Sequence, residues 1–406
     1  MTKTGKLILF CTAAYSGPAF AQAAAPADRH IDITLQAEGR YDSNIARTSA
    51  AAAAVRGLTR EDWRFTPSVA VDIGTPIGGR HSLTVVGSAG YDFHRHNKRL
   101  DRERIGVNST LGLNLSICNT SIQGGYTRRQ SELGEIGAVG GGIQSVKNTE
   151  TIRTIGSTVS CGRSFGFRPT ASIQYENADN SNILRERTNR HALTYSGGVA
   201  YTHPSIGDLL VFVRRRETRF PDRPTVPGMG EEGYDVMSYG ASYSRMIGTR
   251  LQGSIEGTYT DVNKRGATTS GGSPNGINWA ANLTATVSPR LQVHAVTSRA
   301  ITSSLGIDSD YNKTSAYGID GTFTLNPRVT LNAGYSYQNR KFFETQTGFG
   351  PALTKDRVHS LFGGATYALN DRVKFGFDVG RASRAANGTF YDYTNTHAAL
   401  RVSLTF

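Results

Sequence analysis

From about residue 31 to the end of the chain, apolar and polar side chains alternate one by one. In the run Val329-Thr330-Leu331-Asn332-Ala333-Gly334-Tyr335-Ser336-Tyr337-Gln338, the odd positions are apolar or aromatic and the even positions small or polar. Successive residues of a strand point to opposite faces, so such a run has one apolar face and one polar face. Ile105, Val107, Leu111, Leu113 and Leu115 stand in the same way against Arg104, Asn108, Thr110 and Asn114. Ile277, Trp279, Ala281 and Leu283 alternate with Asn278, Asn282 and Thr284, and Val373, Phe375, Phe377 and Val379 alternate with Lys374, Gly376 and Asp378. Strands of this kind need lipid or a core on one side and water on the other.

The breaks between runs are also regular. Gly248-Thr249-Arg250-Leu251, Ser288-Pro289-Arg290-Leu291, Asn326-Pro327-Arg328-Val329 and Asn370-Asp371-Arg372-Val373 each set a small turn before an arginine and an apolar residue that opens a strand. Their arginines fall 38 to 44 residues apart, room for two strands and one longer loop. Polar segments at 47–61, 131–149, 221–232, 264–275, 305–312, 343–356 and 385–391 separate the turns. Short turns at one end and long loops at the other predict an all-β fold, a transmembrane antiparallel up-and-down barrel. Counting runs from 31–46 to 392–406 gives 18 strands, with 16 as the alternative; the run 150–161 alternates poorly. An even count places both ends of the barrel on the periplasmic side. Trp63, Tyr91, Phe93, Tyr259, Trp279, Tyr317, Tyr337 and Tyr393 fall near the long-loop ends, where a girdle of rings would meet the headgroups. General strand propensity for aromatics would also place rings there.

Both ends of the chain carry export features. Lys3 and Lys6 precede a short apolar run, Leu7 to Ala14, and small-x-small sites end at Ala21 and Ala23. Residues 1–23 are therefore expected to be a cleaved signal peptide and 24–406 a single outer-membrane barrel domain. The chain ends Leu400-Arg401-Val402-Ser403-Leu404-Thr405-Phe406, with Phe406 resembling the terminal signal read by the barrel-assembly machinery. No plug-sized segment precedes the first run, which sets a siderophore-type receptor aside as an expectation. Composition agrees: 46 Gly, 18 Tyr and 17 Phe with only 38% hydrophobic residues suits a wall wetted on one face better than a large soluble core.

The formal charge is +13. For an exported chain the anions to expect are lipopolysaccharide and acidic glycans, and no nucleic acid. By parity Arg104, Arg129, Arg214, Arg216, Glu256, Asp320, Arg340, Lys374, Asp378 and Arg401 point into the lumen. Charge there either sets the selectivity of a conduit or forms ion pairs that only satisfy one another. Cys118 and Cys161 fall at neighbouring short turns, an even pair in an oxidising compartment, and are expected to form a disulfide. There is no zinc-ligand spacing, phosphate loop or nucleophile elbow, so no catalytic residue, metal site or cofactor is expected, and no enzyme activity.

The stretch Glu38-Gly39-Arg40-Tyr41-Asp42-Ser43-Asn44-Ile45-Ala46-Arg47, together with Phe406, resembles a family of outer-membrane β-barrel porins whose members accompany exopolysaccharide synthesis and export operons. That resemblance implies a passive channel linked to polysaccharide secretion, with acidic polysaccharide and export proteins as partners. The alternative is a non-conducting barrel that serves as scaffold or binding protein for an export machine or a surface glycan.

Overall fold

The computed structural model describes residues 29–131, 133, 146–223, 230–266, 275–303, 311–343 and 353–406. The proposed signal peptide lies outside the described residues, as do most of 131–149 and half of 221–232.

Eighteen antiparallel strands form one closed sheet in which each strand pairs with its sequence neighbours and β1 (His30–Asp42) closes on β18 (Tyr393–Thr405). Closure removes both sheet edges, so every backbone donor and acceptor in the wall can be paired without water, as a bilayer requires. The strands between are β2 (Asp62–Ile77), β3 (His81–His94), β4 (Arg102–Leu115), β5 (Cys118–Gln130), β6 (Thr149–Cys161), β7 (Gly166–Asn180), β8 (Arg190–His203) and β9 (Gly207–Arg219). They continue with β10 (Gly233–Ile247), β11 (Leu251–Arg265), β12 (Gly276–Ser288), β13 (Leu291–Ser303), β14 (Tyr311–Asn326), β15 (Val329–Phe343), β16 (Lys355–Ala368) and β17 (Val373–Ala386). The poorly alternating run 150–161 is strand β6 and pairs fully with both neighbours. The first strand stops at Asp42, four residues short of the expected end, because Ser43 and Asn44 turn out of the ladder.

The short turns are built by the small residue that opens them. Asn326 Oδ1 accepts from the backbone N–H of Arg328 and of Val329, both at 2.9 Å. Asn370 does the same for Arg372 and Val373 at 2.9 and 2.7 Å, and Ser288 Oγ for Arg290 and Leu291 at 3.3 and 3.1 Å. The side chain replaces the backbone acceptor lost at the reversal. Gly248 supplies the same reversal through a positive φ of 60°.

Parity sorts the two faces. Ile31, Ile33, Leu35, Phe65, Ile155, Val211, Ile255, Leu283, Ile319, Leu361, Phe377 and Leu400 are exposed large apolar residues on one face. Most ion-paired residues occupy the other; Glu103 with Arg128, Arg153 with Asp179, and the cluster of Arg215, Glu217, Arg219, Asp235 and Arg265 stand on the apolar parity at the long-loop ends of their strands. Charged groups on a lipid face are strongly disfavoured, so the apolar face is the outside and the polar face lines the lumen. Odd numbers point outward in most strands, but Ile122 in β5 and Leu400 and Val402 in β18 reverse the phase. Trp63, Tyr91, Phe93, Tyr259 and Tyr317 are exposed on the outer face as the girdle expects. Tyr393 is the correction: it pairs with Arg384 in the reversed strand β18 and so falls on the lumen side.

Candidate functional site: the charged lumen

The lumen face carries alternating charges that link neighbouring strands. One chain of contacts runs across the closing seam. Arg401 lies 3.4 Å from Asp378 and 3.1 Å from Glu38, Arg64 lies 3.2 Å from Glu38 and 3.7 Å from Asp92, and Arg104 lies 3.7 Å from Asp92. Acid and base alternate over β17, β18, β1, β2, β3 and β4. On the next strands round, β5 to β9, Arg129 lies 3.9 Å from Glu150, Arg190 joins Glu150 at 3.7 Å and Glu176 at 3.1 Å, and Arg216 reaches Glu176 at 3.4 Å. Arg214 meets Glu256 at 3.6 Å and stacks 4.7 Å above the Phe212 ring. Asp320 pairs with His294 at 3.2 Å. Lys374 stands between Ala368 and Ser403 on the lumen face.

The two signs differ in what they present to the channel. In the seam chain Arg104 is 50% exposed and its partner Asp92 9%; on the neighbouring strand β5 Arg129 is 40% exposed, and its partner Glu150 6%. Arg401 and Arg216 likewise stand out more than Glu38 and Glu176. In these four pairs the longer guanidinium side chain reaches past the carboxylate, so a solute meets the cation first, whereas Arg190 is more covered than Glu176, and Asp320 is as exposed as His294. These pairs sit in a wet lumen, where each adds little stability. A buried triad differs. Asp356, fully covered, lies 2.7 Å from Arg340 and 2.6 Å from Arg384 near the long-loop ends of β15, β16 and β17.

Two packed bodies border the long-loop mouth. On one side a helix α1 (Ala50–Val55), capped by the Ser49 hydroxyl, places Ala53 with Ala46, Leu58, Leu100, Leu133 and Val146 in a small apolar core. Arg56 donates to the Leu133 carbonyl, and burial, with Arg384 nearby, pulls its guanidinium down to about 10, still cationic at neutral pH. On the other side Tyr311 is fully buried, its ring 5.7 Å from Tyr234 and 5.4 Å from Phe343. Tyr311 and Phe343 belong to the outward parity of their strands, whereas Tyr234 and Val262 belong to the lumen parity of β10 and β11. Outward-parity rings from the ends of β14 and β15 thus pack against lumen-parity side chains at the ends of β10 and β11.

The resemblance motif is a fastener at the seam. Asp42 accepts from Arg40 at 2.8 Å and from Asn395 Nδ2 at 2.8 Å. Asn44 N–H donates to Asn395 Oδ1 at 2.8 Å, and Thr396 N–H donates to Ser43 Oγ at 2.8 Å. The stretch thus ties the first strand to the last above the ladder.

The sequence matches the Gram-negative porin family over residues 9–342. The chain belongs to that family. The porin sits in the outer membrane, with its short turns periplasmic and its long loops outside. Among curated proteins none matches it. Among solved structures it is similar to OccAB3 of Acinetobacter baumannii, at 11% identity over 93% of this chain and 99% of that one, with a TM-score of 0.48. It is similar to OpdK of Pseudomonas aeruginosa at 11% identity, the same shares and a TM-score of 0.47. OccK2 (OpdF) of Pseudomonas aeruginosa, solved with glucuronate, is also similar, at 11% identity over 93% and 98% of the two chains, with a TM-score of 0.48. These are likenesses of architecture.

In register the ten charges singled out by parity share the parity of the seam ion pairs, and Arg340 among them is buried against Asp356. Sequence reasoning missed Glu38, Arg64, Glu150, Arg190, Asp356 and Arg384, although the same parity rule would have found them. Cys118 and Cys161 stand directly opposite in the β5–β6 register and are joined, with Cα atoms 4.0 Å apart. Phe406 extends the closing ladder: its N–H donates to the Ile33 carbonyl at 2.9 Å. His94 and His96 each lie beside an aspartate, Asp101 and Asp62. Among the described residues no three metal-binding side chains come together.

Proposed function

We propose that this porin is a passive channel for hydrophilic anions, with acidic saccharide of the exopolysaccharide class as its cargo. The observation that carries the reading is the unequal exposure within the lumen ion pairs. At Arg104, Arg129, Arg216 and Arg401 the guanidinium projects while the carboxylate is held back, so the near field along that part of the wall favours anions even where the pairs balance in number. Spaced guanidiniums suit the repeating carboxylates of an acidic glycan, because each can grip one bidentately and pass it on. The resemblance of the first strand to porins of exopolysaccharide operons supports the choice of cargo.

The test is a reversal-potential measurement across a planar bilayer under a tenfold potassium chloride gradient. The reading expects a potential of the anion-selective sign, and a fall in current when oligogalacturonate is added. Cation selectivity, or current indifferent to the oligosaccharide, would contradict it.

A further inference from the structure

The outer wall holds a groove of about 670 Å³ that no lumen function uses. Register explains its shape. One rung of outward residues reads Tyr243, Ile255, Ala281, Thr297, Tyr317, and the next reads Arg245, Gly253, Leu283, Ala295, Ile319. Small side chains on β11, β12 and β13 make the floor. Tyr243 and Ile255 stand on one side, Tyr317 and Ile319 on the other. The Tyr243 hydroxyl donates to the Ile206 carbonyl at 2.7 Å, which fixes that ring as a wall. Neighbouring strands are ~4.8 Å apart, so the β11 and β14 rims, three strands apart, leave a slot wide enough for acyl chains laid side by side.

The periplasmic end of this sector is cationic. Arg245 lies on the outer face two residues before the end of β10, and Arg250, Arg290 and Arg328 occupy the adjacent short turns, all exposed. None of the four makes an ion pair among the described residues, and residues 243–255, 281–300 and 321–341 contain no aspartate or glutamate. A second copy of the chain seated on the groove would bury Arg245 against an apolar wall, an expensive unpaired charge. A phospholipid meets both halves of the site, with chains for the slot and a phosphate for the arginines.

We infer that the β10–β15 face is a binding site for an anionic phospholipid of the periplasmic leaflet, its acyl chain in the Ala281–Ala295 groove and its headgroup on Arg245 and Arg250. The site is independent of what the lumen carries. Its test is native mass spectrometry of the full-length protein released from micelles holding equal dioleoylphosphatidylglycerol and dioleoylphosphatidylethanolamine. Wild type is expected to retain one phosphatidylglycerol per barrel. Replacing Arg245→Gln and Arg250→Gln together lowers its preference over phosphatidylethanolamine by about fivefold for each arginine. Filling the floor with Ala281→Phe and Ala295→Phe removes the bound lipid of either kind. A heat-modifiable gel shift verifies folding, and the arginine variant, which leaves the wall packing untouched, decides the matter if the filled variant does not fold. Equal retention of the two lipids by wild type would overturn the inference. So would a preference unchanged by the arginine substitutions, lipid retained on a folded filled groove, or an oligomer that the filled groove dissociates.

Discussion

Asp356 shows at the scale of one residue how this barrel uses charge. It is enclosed between Arg340 and Arg384 and has no exposed side-chain surface. Removing its charge while keeping its shape leaves two cations facing each other in a covered site. Asp356→Asn should therefore destabilise the folded barrel by about 3 kcal/mol, the scale for breaking a buried pair. The readout is the urea concentration at which the heat-modifiable band disappears; an unchanged midpoint would show that the triad is held from elsewhere. Arg104 and Arg216 are the opposite case, exposed toward the lumen. Arg104→Gln with Arg216→Gln should leave that midpoint nearly unchanged, since exposed pairs contribute at most about 1 kcal/mol. The same substitutions should shift the reversal potential toward zero. An unmoved potential would remove these two arginines from the permeation path.

Among the elements, β5 and β6 are set apart by the bond between Cys118 and Cys161, 43 residues apart in sequence. This hairpin carries the longest connection but one in the barrel, and the bond pins its periplasmic ends. Closing a loop of that length removes unfolded-state freedom worth about 4 kcal/mol in the chain-entropy account. Cys118→Ser with Cys161→Ser is expected to lower unfolding stability by up to that amount, and thiol labelling of the unfolded protein should appear only after reduction. Equal labelling with and without reductant would show free thiols. Elements also mark how far sequence could reach. The strands and periplasmic turns were legible because alternation and the Asn or Ser before each turn arginine are local, and local hydrogen bonds build those turns. The mouth was not legible. Leu58, Leu100, Leu133 and Val146 come from three polar stretches, the last two from opposite ends of 131–149, and only the closed barrel brings them together around α1. Tyr393 was misplaced because β18 reverses phase, and the packing of Tyr311 and Phe343 against Tyr234 joins strand ends whose contact no periodicity encodes.

At the scale of the whole molecule, 18 strands enclose a lumen wide enough for water, since barrels of 16 to 18 strands leave an aqueous channel. Packed bodies border its long-loop mouth, and exposed arginines on its wall give it a sign. The measurement that bears most directly on this account is single-channel current in a planar bilayer after reconstitution of folded protein. The account predicts discrete conductance steps in potassium chloride. Folded barrels that insert and yet give no steps would contradict an open lumen and favour a plugged scaffold barrel.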